Sequence, residues 1–176
     1  DSFIGELCRV ASWYFPIESE LIMNIIAFED LDLNFEDKII FLDIDGTLIA
    51  DDGGLDFKPE ILKKISLLGE KNQVFLCTNS SDRIRSSAMA VIIGLPIVAY
   101  GHRKPSSKII KKLGINKENK NLVVIGDKFL TDGLFAKNIG AEFIKVKRKI
   151  SGREFILMKL INLIDDLLCL LLGKLI

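Results

Sequence analysis

Cysteine is scarce in this chain, and what there is does not pair. Cys8, Cys77 and Cys169 form an odd, scattered set without a CxxC spacing. That argues against a disulfide framework and reads as reduced thiols, each a small core residue, in an intracellular protein. Neither sign of charge is in excess: 24 lysines and arginines face 24 acids. General nucleic-acid binding usually carries a basic surplus and is excluded on that ground. The four prolines are dispersed, and no internal repeat or low-complexity linker interrupts the chain. Residues 1–15 lack a basic start followed by a pure apolar core, so no signal peptide is evident. The sequence opens on Asp1, not methionine, which leaves an upstream targeting segment open. The expected location is intracellular, cytoplasmic or peripheral to a membrane. Apolar residues, by contrast, are plentiful at 49%, and 176 residues suffice for one domain with a full core.

The most informative stretch is Ile39-Ile-Phe-Leu-Asp-Ile-Asp-Gly-Thr-Leu48. A continuously apolar strand is what a parallel sheet buried on both faces requires. Asp43 and Asp45 then fall at its carboxyl end, where open α/β sheets place their ligand crevice. Two acids this close repel one another and cost folding energy unless a cation or hydrogen bonds offset it. Downstream, the pattern predicts strands at 73–77, 97–99, 122–125 and 142–146. Helices are predicted at 59–70, 82–93, 106–113 and 130–138. Pro59 marks a helix start, while Gly94, Gly114 and Gly140 mark helix ends. Strands alternating with helices specify an α/β fold: a three-layer α/β/α, Rossmann-like sandwich on a five-stranded parallel sheet. Residues 38–150 form its core. Residues 1–37 are expected as a helical segment packed on it, and 151–176 as an apolar C-terminal helix.

The polar residues of interest all follow strand ends: Asp43 and Asp45, then Thr78, then Lys104, then Asp127. Asp43 is a candidate nucleophile that would take a phosphoryl group as an aspartyl-phosphate. Asp45 would protonate the leaving oxygen and later activate water. Thr78 offers a hydroxyl and backbone N–H groups to phosphoryl oxygens, and Lys104 a compact positive charge. Asp127, and less directly Asp132, complete an oxygen-rich site for Mg²⁺. Each has a bland alternative, as turn, helix cap or solvated surface residue. Their order along the chain makes that reading untenable for the set.

Asp43-Ile44-Asp45-Gly46-Thr47-Leu48, Thr78-Asn79, Lys104-Pro105 and Gly126-Asp127 with Asp132 resemble the four motifs of the haloacid-dehalogenase (HAD) superfamily, in order. The acid at Asp45 is typical of its phosphatases. The resemblance implies Mg²⁺ held by Asp43, the backbone carbonyl of Asp45, and Asp127, with Asp132 supporting Lys104 or a metal-bound water. Thr78, Asn79, Arg103 and Lys104 would bind the substrate phosphate. A finer likeness rests on Arg103-Lys104-Pro105 and on Val124 to Gly133. These runs look like the subclass IIIA phosphatases of the phosphatidylglycerophosphate-phosphatase-like branch, which serves phospholipid synthesis. Asp45-Gly46-Thr47 stands where that branch more usually has an Asp-Asn pairing. His102, the single histidine, stands before Arg103 where a small residue is common and reads as a loop residue near the phosphate. The short connections leave no room for an inserted cap, so the site is expected to be open. The alternatives are a phosphatase of a soluble sugar phosphate, nucleotide or phosphoprotein, and a catalytically silent module that keeps the fold.

Residues 153–176 are strongly apolar, with Lys159, Asn162 and Asp166 forming a narrow polar stripe. Asp165 and Asp166 at the middle argue against a membrane span. Lys145, Lys147, Arg148, Lys149 and Arg153 lie just upstream. Two partners therefore suit this end: the core or a second copy of the chain, and a peripheral anionic membrane surface met by helix and basic cluster together.

Overall fold

The computed structural model describes residues 25–51, 54–98, 101–116, 121–152 and 156–172. Ile39–Leu42 (β1), Gln73–Leu76 (β2), Leu122–Gly126 (β3) and Glu142–Lys145 (β4) form one sheet in the order β2-β1-β3-β4. Every pairing is parallel. β1 is central, and Leu42 stands opposite both Leu76 and Ile125. The chain therefore leaves β1, β2 and β3 at one level, and the residues that follow converge on one edge.

Alternation along the strands sorts the core into two halves. Ile40, Leu42, Val74, Leu76, Val123 and Ile125 face one side, where Pro59–Lys71 (α1) and Arg83–Ile93 (α2) cover them. α1 buries Ile61, Ile65 and Leu68, the spacing of a single helical stripe, and carries proline in its first turn. α2 opens where Asp82 accepts the Arg85 N–H and closes at Gly94, whose φ of 75° suits glycine. Phe41, Leu122 and Val124 face the other side, against Lys108–Lys112 (α3) and Leu134–Ile139 (α4). Phe41 meets the edge of Phe135 with ring centroids 5.4 Å apart. The three-layer arrangement is the Rossmann-like one expected.

The structure differs from expectation in three places. The fifth strand at 97–99 is reduced to a single bridge between Ile97 and Leu76, because Pro96 has no N–H to extend a ladder; Ala99 lies outside the described residues. The helix expected at 106–113 is shorter, Lys108–Lys112, five residues. The helix expected at 130–138 divides into a π-helical turn, Phe129–Gly133, and α4. Of the N-terminal segment, residues 1–24 lie outside the described residues. Phe28–Asp30 forms a 3-10 turn with Phe28 fully buried, and the Ile26 carbonyl accepts the Lys147 N–H at 2.8 Å.

Ile156–Leu172 is a helix (α5), oriented unlike an ordinary amphipathic one. Asn162 and Asp165 are buried toward the core, whereas Leu157, Leu160, Ile164, Leu167 and Leu171 are exposed. No described helix is long and apolar enough to cross a membrane.

Candidate active site

The floor of the site is built from strand ends. β1 delivers Asp43, whose N–H continues the ladder to the Ile125 carbonyl at 2.9 Å. Gly46 follows with φ of 87°, and a Cβ there would lie 2.6 Å from an Asp127 carboxylate oxygen, so the turn demands glycine. Thr47, fully buried, donates its hydroxyl to Asp43 Oδ2 at 2.9 Å and stands 3.4 Å from Asp127 Oδ1. Gly126 is required for a similar reason: a Cβ would fall 2.3 Å from Asp132 Cγ.

Lys104 ties the floor together. Its ammonium contacts Asp43 Oδ1 and Asp132 Oδ1, each at 2.5 Å, and its side chain is almost wholly buried. Burial by itself would discharge it, but Asp132 and Asp43 more than offset that and hold its pKa above the ordinary lysine range. Asn79 positions the lysine: its Oδ1 accepts the Lys104 N–H at 2.8 Å and its Nδ2 donates to the Lys104 carbonyl at 3.0 Å. The amide expected to meet phosphate is thus committed to the lysine backbone. Thr78 likewise turns its hydroxyl to Asp45 Oδ2 at 2.9 Å, while Arg85 reaches Asp45 Oδ1 at 2.7 Å. Asp45 is held by α2, the helix that Asp82 starts.

These groups open on a cleft of about 330 Å³ lined by Asp43, Asp45, Thr78, Asn79, Arg85, Lys104, Lys128, Asp132 and, from α5, Met158 among others. A groove of similar size lies under residues 33–36 and α1, on residues that include Lys64 and Lys71 but no cluster of buried acids. Chemistry, not volume, selects the first. Asp127 lies beneath the cleft, almost completely buried. Arg103 and His102 are exposed and are not among the residues that line the cleft.

Asp43, Asp127 and Asp132 offer carboxylate oxygens that all lie within 4.8 Å of one another. Burial pushes the pKa of Asp43 up to about 6, partly countered by Lys104. Burial, then the charge of Asp43, raises Asp127 to about 6 as well. Hard, buried, mutually repelling oxygens fit Mg²⁺, which favours carboxylate and phosphate oxygen. Asp132 is already occupied by Lys104 and by the Lys128 N–H at 3.1 Å. Asp43 and Asp127 each carry one cation too, Lys104 and Arg148, and share Thr47 between them.

The basic run that begins at the end of β4 makes contacts within the molecule. Lys145 is buried and donates to the Asp127 carbonyl at 2.9 Å, and Arg148 Nε meets Asp127 Oδ2 at 2.6 Å. Lys149 pairs with Glu29 at 2.6 Å. Three of the five cations are therefore paired within the molecule, Lys145 and Arg148 with the site and α5 and Lys149 with Glu29 of the 3-10 turn; Lys147 is exposed and Arg153 is outside the described residues. Lys145, Arg148, Arg85, Lys128, Met158 and Thr47 are site residues that sequence reasoning did not assign. Only Thr47, inside the Asp-rich run, carried a local signal.

Comparison with known proteins bears on the second half of this site. No curated protein matches the chain. A family model described as HAD-hydrolase-like matches residues 102–159, the stretch that carries Lys104, Asp127, Asp132 and Met158. The match makes this segment similar to HAD-like hydrolases, and it falls on the half of the parallel sheet that carries Asp127 and Asp132 at its carboxyl edge.

Proposed function

We propose that this chain is an Mg²⁺-dependent phosphomonoester hydrolase working through an aspartyl-phosphate on Asp43. The observation that carries the reading is Asp43 itself. It is a nearly buried carboxylate at the end of the central strand, opening on a cleft, with a buried lysine on one oxygen and Asp45 two residues away.

In the first step an Asp43 oxygen attacks phosphorus in line with the ester oxygen, and the phosphorus–oxygen ester bond breaks as Asp45 donates a proton to the departing alcohol. In the second, Asp45 takes a proton from water, whose oxygen attacks phosphorus; the bond to Asp43 breaks and phosphate leaves. Lys104 balances negative charge on the phosphoryl oxygens, and Arg85 with Thr78 keeps Asp45 directed into the cleft. Mg²⁺ bound by Asp43, Asp127 and the Asp45 carbonyl would screen the repulsion between carboxylate and phosphate.

The substrate class proposed is a phospholipid headgroup monoester of the phosphatidylglycerophosphate kind. Among the described residues, α1 is the one helix between Asp45 and β2, and α2 the one helix between β2 and Lys104. Met158 brings α5 to the cleft, and the exposed apolar face of that helix begins beside it. Contact with a membrane is proposed through this face, not through the basic run.

Phosphate release should be measured from phosphatidylglycerophosphate in mixed micelles beside a panel of soluble sugar phosphates, nucleotides and phosphopeptides. Preference for the lipid is the expected result, and preference for a soluble ester would transfer the reading to that class. Asp43→Asn should reduce turnover to background on every substrate. Turnover surviving that change, or release indifferent to Mg²⁺ chelation, would sink the mechanism.

A further inference from the structure

We propose that Asp165, on the far C-terminal helix, is a positioning residue for the loop that carries Asp127 and Asp132. The inference rests on the reading of those two acids as site residues. It concerns how they are held, not what is hydrolysed.

The π-helical turn Phe129–Gly133 begins with N–H groups that no intrahelical carbonyl can take, and Lys128 before it supplies no side-chain acceptor. Caps normally come from a residue adjacent in sequence. Here the acceptor comes from α5: the Asp165 carboxylate receives the Phe129 N–H at 2.9 Å and the Leu130 N–H at 2.8 Å. The same carboxylate lies 3.4 Å from Lys145 Nζ and 3.3 Å from Arg148 Nη2. Those two cations in turn donate to the Asp127 carbonyl, at 2.9 and 3.3 Å. Asp165 thus grips the loop from its amide side and anchors the cations that hold its carbonyl side.

The residue is 2% exposed, in the middle of a helix otherwise rich in leucine and isoleucine. A carboxylate buried there is costly unless several donors meet it. Four do, and they all belong to the segments that set Asp127 and, one turn on, Asp132. Since Asp132 holds Lys104, and Lys104 holds Asp43, the grip extends to the nucleophile. π-turns recur at functional sites because they aim side chains that a regular helix would misdirect. This one needs an outside clamp.

The test uses the full chain with Asp165→Asn, Asp165→Ala and, as control, Asp166→Asn. Asp166 is half exposed and contacts Lys145 and Arg148, but its carboxylate takes no N–H of the π-turn. Binding of Mg²⁺ alone is followed by calorimetry, amide exchange at Phe129 and Leu130 in metal-free protein, and turnover of an aryl phosphate as kcat and KM separately. Asp165→Asn should weaken Mg²⁺ about 10–100-fold, the range for residues that orient metal ligands. It should also accelerate exchange at both amides and lower kcat more than KM. Asp166→Asn should move all three less. The asparagine variant keeps the side chain's volume, so it remains informative if the alanine variant does not fold.

Unchanged Mg²⁺ affinity with both amides still protected overturns the proposal. So does a lowered melting temperature with kcat per folded molecule intact, or an equal effect from Asp166→Asn. If the native chain hydrolyses no ester but metal affinity and exchange respond as expected, the clamp stands and the phosphatase reading falls.

Discussion

Asp43 and Asp127 are weaker acids in the folded chain than a free aspartate, each with its pKa pushed up to about 6, chiefly by burial. An acid whose pKa rises on folding binds its proton more tightly when folded. Its contribution to stability is full below the ordinary carboxylate range and is lost as pH rises through about 6. Because Asp43 is itself one cause of the Asp127 shift, the two contributions are shared and not summed. Glu29 and Glu36, whose pKa values are lowered, remain ionised across that window. Metal-free protein should therefore melt at a higher temperature near pH ~5 than near pH ~7.5. Millimolar Mg²⁺ should reverse the order by stabilising the high-pH form far more, since protons and metal compete for the same oxygens. Scanning calorimetry with chelator or Mg²⁺ at the two pH values decides it, and a Mg²⁺ shift equal at both would count against this site. A second test concerns Gly126→Ala. Its Cβ would collide with the Asp132 carboxyl and displace the partner of Lys104. A misplacement near 1 Å costs about 100-fold in rate, so kcat should fall by that order while far-UV circular dichroism stays native.

At the scale of elements, the strands and the residues after them were legible, because a buried parallel strand is a continuous apolar run and its carboxyl end is where ligands bind. Asp43, Asp45, Thr78, Lys104 and Asp127 could be chosen from that pattern alone. The segment from Lys145 to Arg153 and helix α5 were not legible in the same way. A lysine or arginine pairing with an acid many residues distant leaves the same local signature as a solvated basic patch. Lys145, Arg148 and Lys149 show this, with partners at Asp127, Asp165 and Glu29. Asp165 did leave a clue, a charge inside an apolar helix, but the clue excluded a membrane span without naming the amides it caps. The consequence for experiment is direct. Removing residues 156–176 would take away Asp165 with the apolar face, so loss of lipid binding and loss of activity could not be separated. Leu160→Ser with Leu167→Ser changes only exposed positions of α5. That pair should abolish co-sedimentation with anionic vesicles and leave turnover of a soluble aryl phosphate unchanged. Retained vesicle binding would remove the membrane from the account of this helix.

For the whole molecule, the decisive property is that nothing in the described residues closes over the cleft. An enzyme without a lid must obtain water exclusion from its substrate or from the surface on which it works, because electrostatic stabilisation of a phosphoryl group weakens in open solvent. The cleft has an asymmetric rim to serve that need, with the acids and Lys104 at its floor and Met158 of α5 at one side. Exposed Ile84 adjoins Arg85 on the α2 side, and exposed Leu157 adjoins Met158 on the α5 side. Both are solvent-exposed and precede, in sequence, residues that line the cleft. On the proposed lipid reading, a layer that meets these side chains would itself cover the opening while it presents the headgroup. Turnover should then depend on the surface density of phosphatidylglycerophosphate in mixed micelles, at constant bulk concentration. A water-soluble short-chain analogue with the same headgroup should give a lower kcat, not merely a higher KM, since an uncovered site lacks part of its stabilisation even when saturated. Substituting Ile84 and Leu157 by serine should reduce the micellar rate toward that of the short-chain analogue and leave the latter unaffected. If the analogue matches the micellar kcat, the surface has no part in completing the site, and its openness must be met by the substrate alone.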